Sequence, residues 1–202
     1  NTLVEGNHLD GGLVAVTSTS NTGLIVRGNL INDFSSVGLS IITGSVDARF
    51  HDNIIYNCNK NIRLHRLNQS NGHHVYIYRN QLFQPLGFGD HIYTHAMTEE
   101  QLERMGIEHY KEPAIAIYQN TFLGGKRFFV ITSRMREGLP NVRFLNNIVA
   151  TEDVFYRAVD DSPIGVFDYN WIVDGEAYRD LAWFGTHNIT TQAELISEGL
   201  PM

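Results

Sequence analysis

The stretch Arg49-Phe50-His51-Asp52-Asn53-Ile54-Ile55-Tyr56 holds the pattern that decides the fold: a short alternating run, an asparagine, then a second apolar run. The same phrase recurs as Leu3-Val4-Glu5-Gly6-Asn7, Ile25-Val26-Arg27-Gly28-Asn29, Tyr76-Ile77-Tyr78-Arg79-Asn80 and Ala116-Ile117-Tyr118-Gln119-Asn120. Arg143-Phe144-Leu145-Asn146-Asn147 and Val166-Phe167-Asp168-Tyr169-Asn170 continue it. The seven asparagines are spaced by 22, 24, 27, 40, 27 and 23 residues, so all intervals but one lie in a narrow band. Self-similarity at this period is the mark of a solenoid.

Each unit carries a further apolar run after its asparagine: Leu13 to Val16, Leu39 to Ile42, Ile62 to His65, Phe128 to Thr132 and Phe155 to Val159. Three short strands per unit result, with the period-two alternation of strands buried on one face. One such unit cannot bury its apolar face alone. The units must stack, each strand ~4.8 Å from its equivalent in the next coil. In such a stack an asparagine at a turn bonds its own backbone, and identical amides in register bond one another along the axis. The 18 asparagines, as many as the glycines, thereby acquire an architectural reason.

This phased pattern resembles the right-handed parallel β-helix of the pectate-lyase-like superfamily. The resemblance runs from Leu3 to about Val173 and implies an all-β solenoid of about seven coils. It implies carbohydrate chemistry without choosing one, since that fold carries lyases, hydrolases, epimerases, tailspikes and binding modules. Neither the Asn-Thr-Asp, Gly-His-Gly and Arg-Ile-Lys set of polygalacturonases nor the Arg-x-Pro-x-x-Arg of pectate lyases occurs here.

Composition narrows the partners. With 43% hydrophobic residues the chain is no disordered tail, and its 202 residues are read as a single β-helix domain. Fifteen basic against 22 acidic residues, net −7, exclude a general phosphate-backbone binder, so no nucleic acid is expected. The longest apolar runs fall far short of the ~20 residues of a membrane span. Cys58 is the sole cysteine, and it reads as a small core filler rather than a nucleophile.

The single long interval, between Asn80 and Asn120, marks an inserted loop over residues 84–113. Thr98 with Gln101 forms a capping-box pattern and Gly106 suits the position after a helix end, which predicts a helix from Glu99 to Met105 behind a strand His91 to His95. Registering that strand on its neighbour sets Ile92 and Thr94 beside Ile62 and Leu64 in the core. Arg63 and His65 then point outward beside Tyr93 and His95, with Arg63 over Tyr93. Arg157 projects from the same sheet if Tyr156 is inside, Asp160 and Asp161 follow in the turn, and Arg134 ends its own strand.

The candidate catalytic residues are accordingly His65, Tyr93, His95, Asp160 and Asp161, and the candidate substrate-binding residues Arg63, His91, Arg134 and Arg157. His91 and His95 are ~13 Å apart on a strand, too far to share zinc. No cofactor is expected. Calcium, which takes carboxylates at turns such as those of Asp47, Asp90, Asp160 and Asp161, is the one alternative, with no ligand set named.

At the C-terminal end Trp171, Trp183, Phe184 and a short helix begun by Thr191 and Glu194 form a cap over residues 174–202. The N-terminus enters a strand at once, which predicts that earlier coils precede it in a longer protein, or that another copy covers the open end. The function expected is that of an extracellular or periplasmic polysaccharide lyase or glycoside hydrolase. In a lyase acting on a uronate polymer, Arg or His offsets the carboxylate and Tyr or His takes the proton. A hydrolase would need paired carboxylates from Asp160, Asp161 or Asp90. The alternative is a noncatalytic module, adhesin-like or tailspike-like, that binds glycans on the same outward residues.

Overall fold

The computed structural model describes residues 2–19, 21–42, 46–65, 74–86, 89–95, 98–106, 115–131, 139–157, 164–173 and 185–190. Its strands come in repeating sets. The first two sets are β1 (Leu3–Glu5) with β2 (His8–Thr19), and β3 (Ile25–Arg27) with β4 (Leu30–Ile42). Next come β5 (Ala48–His51), β6 (Ile54–Tyr56) and β7 (Lys60–His65), then β8 (Val75–Tyr78), β9 (Gln81–Phe83) and β10 (Asp90–His95). After the helix α1 (Glu99–Met105) come β11 (Ile115–Tyr118), β12 (Thr121–Leu123) and β13 (Arg127–Ile131). β14 (Leu139–Leu145), β15 (Ile148–Ala150), β16 (Asp153–Arg157), β17 (Ile164–Asp168) and β18 (Trp171–Ile172) complete the order.

Every strand pairs in parallel with its equivalent one repeat away. Seven strands form one sheet in the order β1-β3-β5-β8-β11-β14-β17, and eleven form a second that contains both remaining rows. The chain is therefore an all-β, β-helix-like solenoid of stacked parallel strands. Alternation does the sorting: Val26, Phe50, Ile77, Ile117, Phe144 and Phe167 are all buried in one file down the first sheet. Phe122, Phe128 and Phe129 pack edge-on or tilted between the sheets, with the Phe122 and Phe128 centroids 4.5 Å apart. Each such ring is worth roughly 1.5–3 kcal/mol of burial.

The asparagines lie where the repeat predicts and do more than mark it. Each follows one residue in the left-handed conformation: Gly6, Gly28, Asp52, Arg79, Gln119, Asn146 and Tyr169, with φ from 53° to 66°. That residue turns the chain out of the first sheet. The asparagine then satisfies the corner. Asn80 donates from its backbone N and from Nδ2 to Asn120 Oδ1, both at 3.0 Å, and Asn120 does the same to Asn147 Oδ1 at 3.0 and 3.1 Å. The second Nδ2 proton of Asn120 is shared by the carbonyls of Ile77 and Tyr118. The ladder extends to an eighth rung, Asn188, whose Oδ1 accepts from Asn170.

One feature departs from the sequence reading. In the first two repeats the second and third strands fuse into β2 and β4, of 12 and 13 residues. Later repeats break at a turn such as Asn57, at φ 54°, whereas in β4 a single left-handed residue, Asp33, bends the strand while its pairing with β2 continues. The strand expected at His91 to His95 belongs to the coil, since β10 pairs with both β7 and β13. The described helix follows it. This helix, α1, has the expected bounds, with Thr98 Oγ1 accepting from Gln101 N, the Gln101 side chain accepting from Thr98 N, and Gly106 at φ 65°. Of the expected cap, residues 185–190 are described, and Ile189 bridges Trp171; Trp183, Phe184 and the helix after Thr191 lie outside the described residues.

Candidate functional site

The long outer sheet face carries the residues that the sequence nominates. β7 and β10 pair as Ile92 with Ile62, Tyr93 with Arg63, Thr94 with Leu64 and His95 with His65. Ile62, Leu64, Ile92 and Thr94 are buried, while Arg63, His65, Tyr93 and His95 are half-buried and outward. The expected register holds residue for residue. His65 and His95 bring their ring centroids to 5.1 Å at a tilt of 36°.

The cation over Tyr93 is not the one expected. Lys60, at the head of β7, sets its Nζ 4.8 Å from the centre of the Tyr93 ring. Arg63 instead donates from Nε to Ser40 Oγ at 3.0 Å, reaching back to β4. Geometry explains the exchange. Ser40 stands beside Arg63 in register, so the nearest acceptor lies in the preceding coil. The strip is thus Lys60, Arg63, Tyr93, His65 and His95, two fixed cations beside a phenol and two imidazoles.

Other candidates fall elsewhere. His91 is fully buried and lies inside the coil, away from the strip. Its Nε2–H donates to the Gly124 carbonyl at 2.8 Å, and Nδ1 accepts from Asn61 Nδ2 at 3.0 Å. A carbonyl only accepts, so these partners select the neutral tautomer protonated at Nε2. Burial pushes its pKa down to about 4. Arg157 lies on β16, where Phe155 aligns with Phe129, Tyr156 with Val130 and Arg157 with Ile131; the side chains of residues 153–157, and so the expected outward direction of Arg157, lie outside what is described. Arg134, Asp160 and Asp161 lie outside the described residues.

His91 gives the site's strand a pH dependence. The unfolded imidazole titrates near its ordinary value, about 6.5, and the folded one near 4, so the unfolded state binds more protons between them. Stability is then full above pH ~6.5 and falls with decreasing pH, by roughly 3 kcal/mol in all once pH reaches ~4. Urea midpoints measured from pH 7 to 4 should fall less steeply in His91→Gln, relative to its own value at pH 7, than in the parent chain; equal slopes would contradict the assignment.

Asp90, beside Lys60 in register, is 1% exposed and accepts from Arg127 Nε at 2.7 Å. Asp47, a second calcium candidate, stands at φ 53° with His74 Nδ1 3.6 Å away. Among the described residues no three His, Cys, Asp or Glu side chains converge on one point. Cys58 is buried, and desolvation raises its thiol to about 11, as fits a core filler. On the other sheet His51, Tyr78 and Tyr118 stack ring on ring at 4.7 and 5.0 Å. Beside them the Arg79 guanidinium, followed by His51, holds the Asp52 carboxyl at about 2.

Together these features define a class: an all-β solenoid of parallel strands with a cationic, aromatic strip on one outer face. None of the protein-family models, curated proteins or solved structures compared with the chain matches it. No described helix is long and apolar enough to cross a membrane.

Proposed function

We propose that the chain is a carbohydrate-active β-helix protein, of the pectate-lyase-like kind, that holds an extracellular uronate-containing polysaccharide across the strip. The observation that carries this is the juxtaposition of Lys60, Arg63, Tyr93, His65 and His95 over two adjacent strands. A uronate needs a cation at its carboxylate. Arg63 and Lys60 supply two, held in place by Ser40 and Tyr93.

Elimination is within reach of the same set. The cations lower the cost of carbanion character beside the carboxylate, and His65, His95 or Tyr93 removes the adjacent proton. The electron pair forms the carbon–carbon double bond as the glycosidic C–O bond breaks, and the leaving oxygen takes a proton. Hydrolysis is less well supported, because it needs two free carboxylates and Asp90 is already held by Arg127.

The test is to incubate the protein with uronate polymers and follow the absorbance of unsaturated products. Turnover is expected, falling about 100-fold in Arg63→Ala and in His95→Ala with unchanged circular dichroism. Binding that Arg63→Ala abolishes, without turnover, would select the noncatalytic module instead. Neither binding nor turnover on any uronate polymer would overturn both.

A further inference from the structure

A second surface, on a different face, has the chemistry of a different ligand. The outer side of the β6-β9-β12 row carries an open groove of about 700 Å³, lined by Ile54, Tyr56, Asn57, Phe83, Gln84 and Leu123. Tyr56, Phe83 and Leu123 are register partners, so the groove runs along the solenoid axis, perpendicular to the strands. Ile54 and Leu123 remain 39% and 36% exposed.

Two contrasts point to an occupant. Tyr78 and Tyr118, register neighbours on the other sheet, stack face to face and so use up their ring faces. Tyr56 and Phe83 are also register neighbours, yet neither makes a ring contact among the described residues, so their faces are not spent on each other. The second contrast is electrical. The chain carries net −7 and the strip carries two cations, but among the described residues no charged side chain lines this groove. The polar side-chain groups among its lining are the Tyr56 hydroxyl and the amides of Asn57 and Gln84, the last two on left-handed backbone at φ 54° and 31°.

Uncharged walls fit an uncharged ligand. Aromatic and aliphatic surface with amides at its edge suits a molecule that is apolar on its faces and hydroxylated around its rim. We propose that this groove binds a neutral polysaccharide, its pyranose rings lying along the axis on Tyr56, Phe83 and Leu123 and its hydroxyls bonded by Asn57 and Gln84. The inference is independent of the uronate reading, which rests on the opposite chemistry of the strip.

Affinity electrophoresis through gels containing soluble neutral glucans, mannans or xylans tests it, with a uronate polymer run alongside. Retardation by a neutral polymer is expected, insensitive to added salt and unchanged in Arg63→Ala. The Phe83→Ala variant should weaken it about tenfold, about 1.4 kcal/mol. Asn57→Gly keeps the left-handed turn while deleting the amide, and should weaken it about threefold, the worth of one hydrogen bond. No retardation by any neutral polymer, retardation that salt abolishes, or retardation that survives both groove variants would overturn the proposal. Loss in Arg63→Ala would move the ligand to the strip.

Discussion

Asn120→Ala is expected to lower the unfolding free energy by about 5 kcal/mol. The residue is 1% exposed. Removing its Oδ1 strands two donors at once, the backbone N and Nδ2 of Asn80. Removing Nδ2 takes a donor from Ile77 O, from Tyr118 O and from Asn147 Oδ1. Each buried group left unpaired costs about 1–3 kcal/mol, and burial keeps the lost bonds from being replaced by bulk water. Urea titration should show a lower midpoint at an unchanged slope. Asn7→Ala is the contrast: that rung is exposed, and the same truncation should cost about 1 kcal/mol. Equal losses at the two rungs would mean that burial is not what gives the ladder its strength.

Asn120→Asp separates hydrogen bonding from shape. A carboxylate still accepts from Asn80 but cannot donate to three acceptor oxygens around it. Its folded pKa must rise above the unfolded value, so the folded state binds more protons and stability increases as pH falls. A variant whose stability declined on acidification through that range would refute the assigned direction of the ladder bonds.

The second large effect is at the head of the site's strand. Asp90→Ala is expected to cost about 4 kcal/mol, because Arg127, itself only 16% exposed, would keep its charge and lose the carboxylate that accepts from its Nε. Asp90→Asn keeps one acceptor and should cost less. Replacing both residues, as Asp90→Ala with Arg127→Met, should recover part of the loss, since no guanidinium is left facing the site of the missing carboxylate. A double-mutant cycle on thermal or urea unfolding measures that recovery. Should Asp90→Ala cost under about 1 kcal/mol, the pair would rank with surface ion pairs and the strip's frame would rest on backbone pairing alone.

Much of this was legible residue by residue. The phase of the asparagines located seven of the ladder's eight rungs; the eighth, Asn188, follows Asn170 by 18 residues, short of the repeat's spacing. The capping pair Thr98 and Gln101 located α1 to the residue, because capping is a local matter of four neighbouring residues. Pairing Ile92 with Ile62 located the strip, because both runs alternate cleanly. Phe155-Tyr156-Arg157 does not alternate cleanly, so its pattern alone does not assign a face to Arg157. Lys60 and Ser40 went unnoticed because each acts on a residue of the neighbouring strand.

By itself the sequence determined the repeat, the parallel stacking it forces, the asparagine corners and which residues of β7 and β10 face outward. All of these come from short-range periodicity: a period of two and a unit of about two dozen residues leave one way to bury the apolar face. Tertiary structure alone decided that Arg63 reaches back to Ser40, that Lys60 covers Tyr93, that His91 is enclosed and that Tyr56 and Phe83 keep their faces apart. Those outcomes depend on distances between coils some two dozen to three dozen residues apart in the chain, and no local pattern encodes which of two neighbouring cations will arrive first.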